Sequence, residues 1–363
     1  MNNNVQVDLV TPNGAQGELG NYMLAQGGRL DPGKMRPYIA SDGQAYITMY
    51  KGGDPKSPAS YAAMPIQVNN ATLRRDEWKQ LDDVLLRVAE SRLGGIEDLK
   101  ANGLVFNLGN AMGTTVLEWH DVSDAMEAVL SMDGVNRSQG DRPVYTTNYL
   151  PLPIAHSDYE INARVLAASR TMGQALDTTS VERAGRKVLQ TIENMLFTNT
   201  TYGFGGGTIY SYINHPDRNL ATLGTSWLSQ STPKTIVDAV IAMKQTAIDN
   251  YYYGPYALYI PGKYETVMDK DYETTSGKGT TIRERLMKIE GIKSVKAIDT
   301  LPLDNVVLVQ LTQDVVRLVN GMGLQNVEWQ TEGKMVTKYK VMTIQVPQIR
   351  SDQNGKCGIV HAS

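Results

Sequence analysis

The chain has 363 residues, of which 41% are hydrophobic and 20% charged, a composition typical of a globular protein with enough apolar side chains for one or two cores. The 35 basic and 38 acidic residues give a formal net charge of −3, which disfavours a protein that binds nucleic acid through its overall charge. The single cysteine, Cys357, excludes an intramolecular disulfide framework and a multi-cysteine metal cluster. The apolar runs are too short to span a bilayer, and the first residues lack the pattern of a secretory signal. We therefore expect a soluble protein of a reducing compartment.

The first 70 residues are rich in chain-breaking residues, with nine glycines and six prolines. The turn signal Asp42-Gly43 predicts a hairpin between Tyr38–Ala40 and Ala45–Tyr50. Because a two-stranded hairpin is marginally stable alone, we interpret this region as an arm without a core of its own. A flexible tail is the alternative, although the tyrosines and methionines of the region are unusual for disorder.

A helical pattern begins after Thr72, a plausible N-cap, and places Trp78, Leu81, Leu85 and Val88 on one face. The glycine pair Gly94-Gly95 is expected to end this helix.

Residues 104–157 have the pattern of β-structure, with strands predicted at 116–122, 125–132 and 143–154. A polar connection, residues 131–142, separates the last two strands. Such a ribbon has open edges and little core, so we expect it to lie against another subunit.

A second strong helix is predicted over Val181–Phe197. Thr179 and Glu182 have capping-box spacing before it, and Asn199 follows it at a position that often adopts a left-handed conformation. Beyond this helix and a glycine-rich loop at 203–207, the pattern alternates between helix and strand. The elements expected there are helices starting at Pro233, Tyr264 and Ile282 (the last through Ile289) and strands at 256–260, 306–309, around Met342, Ile344 and Val346, and at 358–361.

Motifs that would carry chemistry are weak. The segment Gly28–Met35 has the glycine-to-lysine spacing of a phosphate loop but ends in methionine where a hydroxyl is needed, and neither 203–207 nor 276–279 has the strand-to-helix context of a phosphate site. The four histidines lack metal-ligand spacing, and His120-Asp121 lies in the ribbon without a nucleophile motif. Lys356 is expected to lower the pKa of Cys357, but no base is positioned beside this thiol. We predict no catalytic residue, no cofactor and no metal ligand. A monomeric α+β enzyme with a site built from distant residues stays open as an alternative.

Several stretches, in consistent order, resemble the encapsulin and linocin-type shell proteins and hence the major capsid proteins of tailed phages, which share the Hong Kong 97-type fold. The stretches are Asp76–Asp82, Leu150–Ile154, Tyr159–Ile161, Arg164–Leu166, Ala184–Phe197, Gly254–Ile260 and Leu311–Asp314. The resemblance implies an α+β fold with four parts. These are an N-arm (1–71), a P-domain with the spine helix (72–103, 158–202 and 311–345), an E-loop (104–157) and an A-domain (203–310 and 346–363).

The resemblance also implies a function. A phage head protein would assemble with itself into pentamers and hexamers, enclose double-stranded DNA without sequence-specific contacts, and meet portal, scaffold or decoration proteins, with no membrane involved. It would assemble in the host cytoplasm and reside in the virion. An encapsulin-type compartment around a cargo protein is the alternative, and the long arm before the first helix favours the viral interpretation. The expected inter-subunit contact residues are Tyr38, Tyr46, Tyr50, Trp119, Met126, Val129, Arg137, Arg142, Tyr145 and Tyr149.

One departure from the resemblance concerns covalent cross-linking. Some phage shells harden through an isopeptide bond that starts from an E-loop lysine. This chain has no lysine between Lys100 and Lys187. We therefore expect a shell held together without covalent bonds between subunits.

Overall fold

The computed structural model describes residues 36–51, 62–67, 73–89, 94–109, 112–122, 145–172, 178–230, 232–272, 279–332, 335–352 and 355–363. The helices within these ranges are α1 Arg75–Ala89, α2 Gly94–Ala101, α3 Ala163–Met172, α4 Thr179–Phe197, α5 Pro233–Asp249, α6 Glu265–Met268 and α7 Ile282–Met287. The strands are β1 Tyr38–Ile39, β2 Ala45–Lys51, β3 Ala62–Gln67, β4 Val105–Asn107, β5 Val116–Val122, β6 Tyr145–Pro151, β7 Ala155–Asn162, β8 Tyr202–Phe204, β9 Gly207–Ile209, β10 Asn219–Ala221, β11 Tyr256–Pro261, β12 Ile292–Ile298, β13 Val306–Gln310, β14 Val316–Glu332, β15 Val336–Ile349 and β16 Ile359–Ala362.

The long helix α4 packs across a four-stranded sheet with the order β4-β14-β15-β7. Its buried stripe, Val181, Ala184, Val188 and Ile192, confirms the predicted apolar face and contributes to the largest core cluster. The sheet is built on the hairpin of β14 and β15, which pair from Val316↔Ile349 to Glu332↔Val336. The sequence pattern did not predict β14.

Strand β15 is buried on both faces. Met342, Ile344 and Val346 share one face, as the alternation predicted, and belong to a second apolar layer on the side of the sheet opposite α4. Tyr339 and Val341 belong to the core shared with α4. The sheet is therefore a central layer covered on both sides.

The predicted ends of two helices are wrong. Gly94-Gly95 does not end the first helix but begins α2, because the Glu193 side chain accepts the Gly95 backbone N–H at 3.0 Å. At α4, Thr178 and not Thr179 is the N-cap, without a side-chain hydrogen bond, and the predicted capping box is absent.

At the other end of α4, the chain leaves in an extended conformation at Thr198, whose hydroxyl donates to the Asn194 carbonyl at 2.6 Å. Asn199 is therefore not left-handed. Within the described part of the chain, the only non-glycine residues with positive φ are Tyr251 and Asp304.

A five-stranded mixed sheet has the order β10-β16-β13-β11-β12. All six residues of β11 are buried, with Leu258 packing towards α5 and Tyr259 towards α4. This two-sided burial confirms the buried strands predicted at 256–260 and 306–309. Helix α7 ends at Met287, before the predicted Ile289.

The hairpin predicted in the arm is confirmed, with Tyr38 opposite Tyr46 and Ile39 opposite Ala45. The described arm also has a third strand, β3, beside β2. It leans on α1 of its own chain, since the Trp78 indole donates to the Pro37 carbonyl at 3.0 Å. The sequence did not predict this support. Thr72 lies outside the described residues.

The ribbon strands β5 and β6 pair from Val116↔Pro151 to Val122↔Tyr145, which confirms β5 as predicted and narrows the 143–154 strand to Tyr145–Pro151. The predicted strand 125–132 lies outside the described residues. Among the described helices, none combines the length and the apolar character needed to cross a membrane.

Candidate assembly surfaces

The ribbon has an inner and an outer face with different surroundings. On the inner face, Leu150 is buried and Leu117 and Trp119 pack against the apolar layer beneath β15. The base of the ribbon is therefore anchored on its own chain, which the sequence-based interpretation of an unsupported ribbon missed. On the outer face, Tyr145 is 64% exposed and Tyr149 is 38% exposed. This face has no packing partner among the described residues that buries these two rings.

The glycine-rich segment 203–207 forms a tight hairpin that contacts the ribbon. Gly205 and Gly206 have φ values of 60° and 83°, which glycine adopts without strain. A Cβ atom on Gly207 would lie 2.3 Å from the Tyr149 carbonyl oxygen, so only glycine allows this approach of β9 to β6. These glycines therefore have a structural role that fits the absence of a phosphate-site context.

Two further exposed aromatic residues lie on this hairpin, Tyr202 at 48% and Phe204 at 54%. We call Tyr145, Tyr149, Tyr202 and Phe204 the ribbon aromatic surface. Tyr202 and Phe204 were not among the predicted contact residues, although aromatic residues flanking a glycine turn were a usable signal. Exposed aromatic residues beside an open strand pair are typical of surfaces that become buried in an assembly.

Polar contacts hold the inner face of the ribbon to the end of β15. Asn148 donates a short hydrogen bond to Asp121, and the Arg350 guanidinium lies 3.5 Å from the same carboxylate. His120 points to the opposite face, where its ring lies 3.1 Å from the Thr147 hydroxyl. His120 and Asp121 thus do not form a catalytic pair. The Trp119 indole N–H is buried without an acceptor among the described residues.

The remaining predicted contact residues are distributed between the arm and the undescribed ribbon. In the arm, the Tyr38 and Tyr46 rings lie 6.3 Å apart, and Tyr38 also packs against the core. Tyr46 donates to Asp42 at 2.7 Å, and this hydrogen bond raises the pKa of the tyrosine and lowers that of the carboxyl. Tyr50 lies in β2 opposite Ala63. The predicted contacts that lie outside the described residues are Met126, Val129, Arg137 and Arg142.

A buried polar cluster connects α4, α2 and the five-stranded sheet. Glu193 of α4 accepts the backbone N–H groups of Gly95 and Ile96, at 3.0 and 3.4 Å. Burial raises the pKa of this carboxyl, and the two N–H groups partly offset that effect. Asp98 of α2 binds Lys296 of β12 at 2.8 Å and accepts a hydrogen bond from Tyr259 of β11 at 3.0 Å. No local pattern predicts this cluster, because its members are distant along the chain.

Two of the residues considered as candidate catalytic groups, Cys357 and His361, are buried in the fold. Burial raises the pKa of the Cys357 thiol to about 12, which corrects the expectation that Lys356 lowers it. The buried ring of His361 lies 2.8 Å from the Asn305 side-chain oxygen and 3.3 Å from the Arg218 guanidinium, and burial lowers its pKa to about 4. Within the described ranges, no three His, Cys, Asp or Glu side chains are grouped as metal ligands. The segments 28–35 and 276–278 lie outside those ranges.

Comparison with solved structures identifies the fold. The chain superposes with a TM-score of 0.56 on the virus-like particle protein from Pyrococcus furiosus, at 19% identity, over 79% of this chain and 99% of that one. It also superposes with a TM-score of 0.56 on the capsid protein of Myoviridae phage XM1, at 9% identity, over 72% of this chain and 90% of that one. The capsid of a native GTA particle gives a TM-score of 0.54 at 12% identity, over 73% of this chain and 89% of that one. The predicted α+β, Hong Kong 97-type fold is confirmed.

Comparison of sequences gives the family. No curated protein matches the chain. A family model described as a family of unknown function, DUF6260, matches residues 68–362, from the residues before α1 to the last strand. The chain therefore belongs to the DUF6260 family, and it has the Hong Kong 97-type capsid fold.

Proposed function

We propose that this chain is a major capsid protein that assembles with itself into an icosahedral head shell around phage double-stranded DNA. The observation that carries the proposal is the Hong Kong 97-type fold together with the exposed ribbon aromatic surface. A strand pair that presents tyrosines to solvent gains stability when another copy covers it. Each subunit in a closed shell contacts several neighbours at once, so modest individual contacts are sufficient.

The proposal divides the chain as the resemblance implies. The N-arm is 1–71, the E-loop 104–157, the A-domain 203–310 with 346–363, and the P-domain comprises the remaining segments. One feature supports this division: α4 packs on the four-stranded sheet, whereas α5 packs on one face of the five-stranded sheet. The other face of the five-stranded sheet joins α4 in the largest core cluster.

Its partners would be further copies in pentamers and hexamers, held without covalent bonds through N-arm and E-loop contacts. Portal, scaffold or decoration proteins would join them, and the packaged DNA would be contacted without sequence specificity. A net charge of −3 is compatible with a container that does not rely on strong DNA binding. The protein would assemble in the bacterial cytoplasm and function in the virion, without a catalytic role.

A second candidate is a compartment shell that encloses a cargo protein. It is favoured by the superposition on 99% of the chain from the Pyrococcus furiosus particle. The two candidates share the subunit contacts and differ in what the particle encloses.

The test is to express the full chain and examine it by size-exclusion chromatography and negative-stain electron microscopy. Closed particles or ring-shaped capsomers support a shell, whereas a stable 40.0 kDa monomer supports the alternative of a monomeric enzyme and overturns the proposal. Nuclease-protected DNA in particles formed during phage infection supports the head shell. A co-purifying enclosed protein supports the compartment.

The same particles test the expected non-covalent assembly. Boiling them in denaturant should give one band at 40.0 kDa on a gel. A ladder of covalent multimers would contradict the expectation that rests on the absence of lysine between Lys100 and Lys187.

A further inference from the structure

An open cavity of about 460 Å³ lies between the ribbon and the C-terminal end of α5. The residues that matter for its chemistry are Asp121, Tyr251, Tyr252, Asp314, Arg350 and Asp352. We call it the tyrosine cavity. His120 of the ribbon also lines it, none of the four residues of the ribbon aromatic surface does, and the resemblance did not select any residue of the lining as a contact.

Two tyrosines at this end of α5 are unusually exposed. Tyr251 is 80% exposed and Tyr253 is 66% exposed, while Tyr252 between them donates to the Lys356 carbonyl at 2.9 Å. Tyr251 also has a φ of 66°, a conformation that bulky side chains rarely adopt. Because an 80% exposed ring makes little contact with the described residues, packing among them does not account for a tyrosine at this position.

The charges around the cavity favour a cationic occupant. Asp121, Asp314 and Asp352 line the cavity together with one guanidinium, that of Arg350, which lies 3.5 Å from Asp121. The formal charge of the lining is therefore −2. Carboxylates beside exposed aromatic rings are the surroundings in which lysine and arginine side chains bind, through ion pairs and cation–π contacts.

Two exposed lysines lie just after α7 and on β12, the outer strand of the five-stranded sheet, with the exposed Glu290 between them along the chain. Lys288 and Lys293 are exposed there and form no ion pair within the described part of the chain, and Met287 beside them is 51% exposed. Three neighbouring cations already have partners: Arg283 lies 3.6 Å from Asp269, Lys296 lies 2.8 Å from Asp98, and the Arg285 guanidinium lies 5.9 Å from the centre of the Tyr272 ring. Lys288 and Lys293 are therefore exposed cations of this edge that lack an acidic partner among the described residues.

We propose that the tyrosine cavity of one copy receives the Lys288–Lys293 edge of a second copy. The contact is heterologous, because the two surfaces differ, and heterologous contacts repeat around a ring until it closes. This inference rests on the proposed function and specifies one subunit contact of the shell. Complementary charge would set the orientation of neighbouring copies and make the contact sensitive to salt.

A charge-swap experiment on the full chain tests the contact. The variants are Lys293→Glu, Asp314→Lys and the double variant, with Lys234→Glu, an exposed lysine at the start of α5, as the matched control. Each single variant should reduce the assembled fraction at least threefold in sedimentation velocity at moderate salt. The double variant should recover at least half of that loss, and the control should assemble like the parent.

Tyr251→Gly separates a structural from an interaction role. Glycine adopts a φ of 66° without strain and removes the exposed ring, so the variant should unfold at the same or a higher temperature than the parent and yet assemble at least threefold less. If the parent assembles and each variant assembles equally well in its own experiment, this contact alone is overturned. A double variant no better than the worse single one would overturn it as well. A parent that stays monomeric at every concentration would overturn the proposed function and this contact together.

Discussion

The buried carboxylate of Glu193 provides the sharpest test of how the spine helix is joined to the rest of the subunit. Its side chain is 4% exposed and accepts the first N–H groups of α2, from Gly95 and Ile96. Replacing Glu193 with alanine leaves two buried donors without an acceptor. A buried donor that loses its acceptor costs about 1–3 kcal/mol. Because the carboxylate is itself costly to bury, we expect a net loss of about 2–4 kcal/mol.

The sign of the pH dependence follows from the raised pKa of this carboxyl. The folded chain binds the Glu193 proton more tightly than the unfolded chain, so this group stabilises the fold less as the pH rises above its ordinary pKa of 4.5. Glu193→Gln keeps one acceptor and removes the charge. It should therefore lose less stability than Glu193→Ala, and its disadvantage relative to the parent should shrink between pH 4.5 and pH 7.

The assay is thermal unfolding of the full chain by circular dichroism, at one protein concentration for all variants because assembly shifts the midpoint. At about 2 °C per kcal/mol, Glu193→Ala should lower the midpoint by about 4–8 °C. Hydrogen exchange at the Gly95 and Ile96 amides should accelerate in the same variant. Glu182→Ala is the control on the same helix, since its ion pair with Arg186 is exposed and contributes less than about 1 kcal/mol. Equal midpoints for the two alanine variants would refute the assignment of Glu193 as the cap of α2.

Three further predictions concern packing, pH and assembly. A Cβ on Gly95 would lie 2.4 Å from the Phe197 ring, so Gly95→Ala should lower the free energy of unfolding by about 1–3 kcal/mol and with it the midpoint of thermal unfolding. Gly323→Ala is the control, because open space surrounds Gly323, and it should change the midpoint little. Burial lowers the pKa of His361 from 6.5 to about 4, so the folded chain resists protonation of this ring and loses stability as the pH falls from 6.5 to 4. His361→Gln removes this titration and should reduce the loss of stability over that pH range by about 1–2 kcal/mol. An unchanged slope would show that His361 is not the group that titrates there. Tyr145→Ser should leave the midpoint of the unassembled chain unchanged, because the ring is 64% exposed, and should lower the yield of particles seen by electron microscopy; a normal yield would remove Tyr145 from the subunit contacts.

Local patterns in the sequence were sufficient for the elements that carry their own signal. The helical stripe of α4, the buried strands β11 and β13 and the hairpin at Asp42-Gly43 were all predicted, because periodicity and turn residues act within a few positions. The order of resembling stretches was sufficient for the fold class, which the superpositions confirm. The ribbon strand β5 was predicted with its observed ends.

Only the tertiary structure decided which residues begin, end and cap these helices. Gly94-Gly95 has the composition of a helix end, yet it begins α2, because Glu193 supplies an acceptor from a residue far along the chain. The predicted capping role of Thr179 and the predicted left-handed conformation of Asn199 are wrong, since Thr178 and Thr198 occupy the cap positions of α4. A pattern within a few residues contains no information about a partner that arrives by folding.

Some residues of the candidate surfaces were predicted from the sequence, and others were found only in the structure. Tyr145 and Tyr149 were selected from the strand pattern, and the structure leaves both partly exposed on one face of the ribbon. Tyr202, Phe204 and Tyr251 were not selected, because exposure is a property of the packed chain and not of the residue type. The sequence by itself determined the helices α1, α4 and α5, the buried faces of β11, β13 and β15, and that the chain between Lys100 and Lys187 lacks lysine. The tertiary structure decided which aromatic side chains stay uncovered, because burial depends on contacts between distant segments.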